Sequence, residues 1–113
     1  MSKLTLVIDS GSLQRSSSGT ISGVVYVQAG ELCFPERNWT DLIVSVVVEW
    51  LVVASKLALG ASWKQRFLFL DGPFAIELSL AEGGIIQAIL IERRLAGDVV
   101  LGEFQTDLAR RAA

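Results

Sequence analysis

Residues 34–51, FPERNWTDLIVSVVVEWL, place a proline and a short charged segment ahead of one of the most apolar stretches of the chain. The polar side chains that interrupt this stretch and its continuation are separated by four, four and seven residues; they are Asp41, Ser45, Glu49 and Lys56. This spacing aligns them along one side of an α-helix, and the segment is longer than the usual strand. We therefore predict a helix over residues 39–59 that ends near Gly60.

The predicted start of this helix accounts for part of the charged segment. Asn38 suits the N-cap position, and Asp41, three residues later, can accept hydrogen bonds from free amides at the positive end of the helix. Glu49 is expected to face solvent. Because the polar side is narrow, more than half of the helix circumference needs burial, while a sheet covers one side only. The remainder is covered either by the chain's own loop and terminal helix or by a partner chain.

The rest of the chain alternates in ways typical of β-strands. Six strands are predicted, at residues 4–9, 20–28, 66–70, 74–80, 85–92 and 99–104. The segment between the first two, SGSLQRSSSG, is rich in serine and glycine and is predicted to be a flexible loop. Asp71-Gly72-Pro73 marks the turn of a hairpin. Residues 85–92 are apolar on both faces, which predicts a central strand.

The end of the chain, residues 106–113, is predicted to form a short helix capped by Thr106. The resulting fold class is α+β, a mostly antiparallel sheet of about six strands packed by one long helix, plus the short C-terminal helix. A chain of 113 residues, 51% hydrophobic and 19% charged, has room for one domain over residues 1–113 with a core of its own.

Composition argues against several classes of function. The net charge of -2 is unfavourable for binding nucleic acid, which needs a basic surface. The chain has no histidine, so the usual catalytic base and most transition-metal sites are missing. Its sole cysteine, Cys33, cannot form an internal disulfide and is predicted to be a small core residue. Glu49 would lie near the centre of any membrane span, and the N-terminus lacks signal-peptide features, so we expect a cytoplasmic protein without a membrane segment.

No catalytic set is recognisable in the sequence. Asp41 and Glu49 lie two helical turns apart, about 12 Å, which is beyond the usual separation of glycosidase carboxylates. The serines at 16–18 have no base within reach in the sequence, and the glycines match neither a phosphate-binding loop nor a dinucleotide fingerprint. We therefore expect neither an enzyme nor a site for a cofactor or metal.

The chain has three tryptophans, Trp39, Trp50 and Trp63. The first two are eleven residues apart, which places them on one face of the predicted helix and predicts that they fill the core beneath the sheet. Trp39 has an alternative role as a partly exposed anchor for another protein, beside Glu36 and Arg37. Aromatic and arginine side chains dominate interface hot spots.

Two short motifs resemble a known group of proteins. FPERNWTD, residues 34–41, fits F-P-x-x-x-W-x-D, and FLDGP, residues 69–73, fits F-x-D-G-P. With the valine-rich helix between them, these motifs resemble small bacterial immunity-type proteins of polymorphic toxin systems. The family pattern often doubles the tryptophan in the helix, where this chain has Leu51 after Trp50.

The resemblance implies a non-enzymatic cytosolic protein that binds a cognate toxin domain and occludes its active site. The residues expected to contact this partner are Glu36, Arg37, Trp39, Asp41 and Asp71. Acidic side chains among them suit the basic cleft of a nuclease or of an NAD-consuming toxin. Taken alone, Asp41 also fits a helix cap and Asp71 a turn. Two other classes stay open: a homodimeric structural or adaptor protein that uses the apolar helix surface, and a small-molecule binding module with a pocket between helix and sheet.

Overall fold

The structure is a computed structural model that describes residues 3–108. Its elements, in chain order, are β1 (Lys3–Arg15), β2 (Ile21–Ala29), β3 (Leu32–Phe34), β4 (Thr40–Asp41), α1 (Ile43–Ala58), β5 (Lys64–Leu68), β6 (Phe74–Leu80), β7 (Ile86–Glu92) and β8 (Val99–Leu108). One turn of 3-10 helix, Glu82–Gly84, connects β6 to β7. The peptide bond between Phe34 and Pro35 is cis.

The eight strands fall into two sheets of four strands each. In the first sheet, β2 pairs antiparallel with β1, β3 and β4. The second sheet is an antiparallel meander in which β5, β6, β7 and β8 each pair with the next. The two sheets meet where β1 and β8 run parallel, and this pairing covers only two residue pairs, Lys3 with Asp107 and Leu4 with Leu108.

The prediction of an α+β fold with antiparallel strands and one helix is confirmed, but the single sheet of about six strands is wrong. Two strands were missed because β3 and β4 have only three and two residues, too few for an alternating pattern. The predicted C-terminal helix is also wrong. Thr106 is buried within β8, where it pairs with Ile86 of β7, and a β-branched residue suits that position. Residues 109–113 of the predicted helix lie outside the described residues.

Strand β1 is longer than predicted, because it continues through much of the segment expected to be a loop, as far as Arg15. Ser12 attaches this extension to β2: its Oγ accepts a hydrogen bond from the amide of Val24 at 2.7 Å. Gly23 lies beneath it, and a Cβ at that position would lie 2.9 Å from Cδ2 of Leu13. The serine-rich segment is therefore partly an irregular strand, and glycine permits its close approach to β2.

Helix α1 begins four residues later than predicted and ends one residue earlier. Asn38 is not its N-cap: this residue has a φ of 65°, in the left-handed region, and the residue before the helix is Leu42. Residues 40 and 41 form β4 instead, because the side chain of Asp41 is engaged by another part of the chain, as described below. Glu49 is exposed, as predicted.

One side of α1 packs across β2 and β5 and closes the core. Its buried residues recur at spacings of three and four; they are Ile43, Val46, Trp50, Val53 and Leu57. They meet buried side chains from both sheets, among them Leu4, Val25, Val27, Phe67, Phe69, Ile76 and Leu78. The helix therefore joins two sheets that share only a short backbone pairing with each other.

Candidate functional site

The charged segment before α1 and the turn between β5 and β6 are joined through one buried carboxylate. Asp41 is only 2% exposed. Its Oδ1 accepts from the amide of Leu42 at 2.7 Å, and its Oδ2 accepts from Nε1 of Trp39 and from the amide of Leu70, both at 3.0 Å. The amide of Asp71 donates to both oxygens at 3.1 Å. We call these two joined segments the corner; it comprises residues 34–42 and 69–74.

Aromatic rings join the two segments of the corner a second time. Phe34 packs edge to face against Phe69 and Phe74, with ring centroids 5.9 and 5.7 Å apart. Trp39 packs edge to face against Phe74 at 5.4 Å. Each such pair contributes about 0.5–1.5 kcal/mol beyond the area it buries. The corner is thus held by a hydrogen-bonded carboxylate on one side and an aromatic cluster on the other.

The turn itself fits closely against Trp39. Gly72 has a φ of 123°, and a Cβ added there would lie 3.1 Å from Cη2 of the indole. Both the backbone conformation and the space therefore require glycine at this position.

The structure places the five predicted contact residues together at the corner, but in different environments. Glu36, Arg37 and Asp71 are exposed. Trp39 is half-buried against Phe74, and Asp41 is buried with its oxygens accepting bonds from within the corner. Asp41 accepts only one amide at the start of the helix, that of Leu42, so positioning the corner is a larger part of its role than capping. Only the three exposed residues offer charged groups at the surface.

Two exposed leucines accompany these charges. The amides of Leu42 and Leu70 both donate to the carboxylate of Asp41, so their backbones lie close together at the start of α1. Their side chains are 37% and 50% exposed. The corner therefore combines apolar and charged groups on a backbone that internal hydrogen bonds hold in place, as protein-binding surfaces do.

The two motifs quoted from the sequence, FPERNWTD and FLDGP, are the two segments that meet here. FPERNWTD supplies the buried carboxylate and the indole, and FLDGP supplies the amides and the glycine turn. Sequence reasoning missed their contact, since no local pattern relates residues about thirty positions apart. The sequence offers one weak indication of this contact: Asp41 follows Trp39 by two residues, and a separate turn contains Asp71-Gly72-Pro73.

Comparison with protein-family models, with curated proteins and with solved structures found no match. Within residues 3–108, no helix has the length and apolar character needed to cross a membrane. In the same part of the chain, no three Cys, Asp or Glu side chains are grouped so that they could hold a metal ion.

The other tryptophans and the cysteine differ in how far they are buried. Trp50 is buried in the core and packs edge to face against Phe67 at 5.1 Å, as predicted. Trp63, for which the helical spacing made no prediction, is 66% exposed. Cys33, predicted to be a core residue, is half-buried in β3. Trp63 lies after the end of the helix, outside any periodic pattern. Spacing therefore could not predict whether it is buried or exposed.

A second surface feature is the side of α1 that faces away from the core. Six exposed residues on this side form a band that we call the outer stripe; it consists of Val44, Val48, Leu51, Val52 and Ser55 of α1 and of Leu59, the residue directly after the helix. At about 100° per residue, this stripe is about 100° wide and lies roughly opposite the buried side of the helix. Leu51, near its centre, is 58% exposed. The prediction that a sheet covers only one side of the helix is confirmed for the described residues.

The surface of the second sheet carries a network of charges. Glu77 of β6 accepts from Nζ of Lys64 at 3.2 Å and from Nη2 of Arg66 at 3.1 Å, and Arg66 also contacts Asp98 at 3.1 Å. Burial raises the pKa of the Glu77 carboxyl, but the hydrogen bonds from Arg66 and Lys64 together outweigh burial and hold that pKa below its ordinary value. The network acts as a cross-strand brace, since Arg66 and Glu77 are directly paired in β5 and β6.

A shallow groove of about 350 Å³ lies where the two sheets meet. It is lined by Ala29 and Leu32 of the first sheet and by Leu90 and residues 101–105 of the second. Its polar side chains, Glu103 and Gln105, are exposed. The small-molecule alternative predicted a pocket between helix and sheet, whereas this groove of the described residues lies between the two sheets.

Proposed function

We propose that this chain is a non-enzymatic immunity-type protein of the cytosol, which binds a cognate bacterial toxin domain and occludes its active site. The observation that carries the proposal is the corner, where the buried carboxylate of Asp41 holds two loops against each other. An inhibitor of this kind needs no chemistry of its own. It needs a surface that already has its bound conformation, because the free energy spent on ordering loops during binding is then small.

The charges at the corner favour a partner with a basic cleft. Glu36 and Asp71 supply exposed carboxylates, and Arg37, next to Glu36 in the chain, supplies an exposed guanidinium that can bind a carboxylate or stack on an aromatic ring. Charges at the edge of an interface mainly raise the association rate and fix orientation. Leu42 and Leu70 supply apolar area beside them.

Asp41 and Trp39 take a supporting part in this proposal. Because Asp41 accepts from the amides of Leu70 and Asp71, it fixes the loop that presents the Asp71 side chain. Trp39 covers the turn at Gly72 and offers only its exposed edge. Both are positioning residues, and their removal is expected to weaken binding through disorder of the loops.

The test begins with the gene immediately upstream of this one, which we expect to encode a large protein with a C-terminal toxin domain. Its C-terminal domain is expressed in bacteria alone and together with this chain. We expect growth inhibition by the domain alone, relief of that inhibition by this chain, and a stoichiometric complex on purification. Absence of both relief and complex would overturn the proposal.

A matched pair of charge reversals locates the surface. Asp71→Lys is expected to lower the affinity for the toxin domain roughly tenfold, with a larger effect at low salt. Glu82→Lys makes the same change in an exposed residue near the opposite end of β6, beyond Leu80, and is expected to leave affinity unchanged. If the two charge reversals changed the affinity equally, the contact surface would not be the corner.

A further inference from the structure

The residues of the outer stripe, five of them apolar, are arranged symmetrically about its midpoint. Its six members follow one another at spacings of four, three, one, three and four residues, which read the same in both directions. The midpoint of this pattern falls between Leu51 and Val52. A helix with such a pattern presents the same surface when it is turned end over end.

This symmetry is what an antiparallel pair of identical helices requires. In a dimer with a twofold axis, each contact is made twice and residue i meets residue j while j meets i. With the axis at the midpoint of the stripe, Val44 faces the partner's Leu59, Val48 faces the partner's Ser55, and Leu51 faces the partner's Val52. Each facing pair holds at most one bulky γ-branched residue, so the helices can approach along the whole stripe.

The flank of the stripe carries the second argument. Ser45, Lys56 and Glu49 lie side by side along one edge of it, at about 100°, 120° and 140° from Val44 around the helix. A twofold axis perpendicular to both helices brings this edge of one helix against the same edge of the other. Charges of opposite sign therefore meet across the dimer if their positions along the axis agree.

Their positions do agree. Glu49 and the partner's Lys56 differ by about 3 Å along the helix axis, at 1.5 Å per residue, and the pair occurs twice. Like charges are farther apart: the two Glu49 carboxylates are offset by about 7.5 Å and the two Lys56 ammonium groups by about 13.5 Å. The flank is thus complementary to itself in the same arrangement that matches the apolar stripe.

We infer that the outer stripe of α1 binds a second copy of this chain, as an antiparallel helix pair. The inference goes beyond the proposed function, and it uses residues other than Glu36, Arg37 and Asp71 of the corner. The two proposals can therefore fail independently: a monomeric chain can neutralise a toxin, and a dimeric chain can fail to do so. A different protein on the stripe is the competing occupant, and it would leave the isolated chain monomeric.

The first test is sedimentation velocity of the full chain from about 1 µM to about 500 µM, a range that covers weak specific dimers. We expect the mass to rise with concentration to twice the 12.2 kDa of the monomer. Leu51→Glu places a carboxylate at the centre of the interface and is expected to weaken dimerisation by at least roughly a hundredfold. Its circular dichroism spectrum should match that of the wild type, because Leu51 is exposed in the monomer. Leu95→Glu, at an exposed leucine in the β7–β8 turn, is the matched control and should remain dimeric.

The second test uses the flanking charges. Glu49→Lys and Lys56→Glu each replace two attractions by two repulsions and are expected to weaken the dimer roughly tenfold. The double variant E49K/K56E exchanges the charges and should restore wild-type affinity. A wild type that is monomeric throughout, a dimer unaffected by Leu51→Glu, or a double variant weaker than both single variants would each overturn the inference.

Discussion

The indole Nε1 of Trp39 donates a hydrogen bond of 3.0 Å to the carboxylate of Asp41, two residues later in the chain. The same carboxylate accepts the amides of Leu70 and Asp71, and the same indole lies over Gly72. Trp39 and Asp41 therefore act as one unit that fastens the segment before α1 to the β5–β6 turn. This relationship has consequences for stability that can be measured without knowledge of a partner.

Replacement of Asp41 is expected to be among the most damaging polar substitutions in the chain. In Asp41→Asn, an NH2 group replaces one of the two acceptor oxygens. With that group at the Oδ2 position, Nε1 of Trp39 and the amide of Leu70 lose their acceptor, whereas the amides of Leu42 and Asp71 keep Oδ1. We expect a loss of about 3 kcal/mol in the free energy of unfolding, measured by urea denaturation. Asp71→Asn makes the same chemical change at an exposed side chain and should change it by less than about 0.5 kcal/mol. Equal losses in the two variants would contradict a special role for the buried carboxylate.

The hydrogen bond between Trp39 and Asp41 can be isolated by a double-mutant cycle. Trp39→Phe retains a ring but removes the donor, and we expect it to cost about 1–2 kcal/mol. Because the two side chains share one bond, the double variant with Asp41→Asn should be less damaged than the sum of the single variants, by roughly 1 kcal/mol. Additive effects would show that the two residues stabilise the fold separately.

Gly72→Ala is expected to destabilise the chain through backbone strain and through a steric clash. The same substitution at Gly83 measures the backbone strain alone. At Gly72 the φ of 123° is strained for alanine, and the new Cβ would lie 3.1 Å from the rigid indole of Trp39. At Gly83 the φ is 73° and no atom lies within 4 Å, so Gly83→Ala carries backbone strain alone. We expect a loss of about 2–3 kcal/mol for Gly72→Ala and about 1 kcal/mol for Gly83→Ala in thermal or urea unfolding. A reversed order would mean that the indole does not cover the turn.

The buried and exposed faces of α1 should respond differently when a leucine on each face is replaced by alanine. Leu57 is 2% exposed and packs in the core, whereas Leu51 is 58% exposed on the outer stripe. Leu57→Ala should lower the free energy of unfolding by about 2–5 kcal/mol through the lost contacts and the cavity left behind. Leu51→Ala should change it by less than about 0.5 kcal/mol when measured at a concentration where the chain is monomeric. Comparable losses would mean that the helix is rotated from the orientation described above.

The charge network on the second sheet predicts a dependence of stability on pH. The folded chain holds the pKa of Glu77 below its ordinary value, so this carboxylate stabilises the fold at neutral pH. That contribution is lost as the pH falls below the ordinary value of 4.5 and through the lower folded-state value. Glu77→Gln should lower the free energy of unfolding at pH 7 by about 1 kcal/mol and reduce its decline on acidification. A wild-type pH profile that the substitution leaves unchanged in shape would contradict this role.

The sequence predicts most reliably those elements whose pattern is both periodic and long. The spacing of Ser45, Glu49 and Lys56 identified the helix and its exposed side, and alternation predicted the strand at residues 74–80, whose Ile76 and Leu78 lie in the core. The hairpin around Asp71-Gly72-Pro73 was also predicted, because proline and glycine restrict the backbone locally. These features depend on contacts between near neighbours in the chain.

Features that depend on distant contacts were mispredicted or missed. Asn38 and Asp41 carry the residue types of a helix start, but the amides of Leu70 and Asp71 compete for the carboxylate, and the helix therefore begins at Ile43. Thr106 has a helix-cap residue type, but it pairs with Ile86 of β7, and the two residues after it pair with β1, so that β8 continues to Leu108. At the candidate site, the sequence predicted five contact residues that the structure places at the corner, and it could not show that Asp41 is buried while Asp71 is exposed.

Amide hydrogen exchange followed by NMR tests most directly whether the Asp41 carboxylate holds the corner together. In the wild type, the amides of Leu70 and Asp71 should exchange slowly although they lie in a turn, because both donate to this buried acceptor. In Asp41→Ala, which removes both acceptor oxygens, these two amides should exchange at least roughly tenfold faster, while that of Phe67 within β5 should change no more than the global loss of stability requires. Fast exchange of Leu70 and Asp71 in the wild type, or unchanged exchange in the variant, would contradict the account.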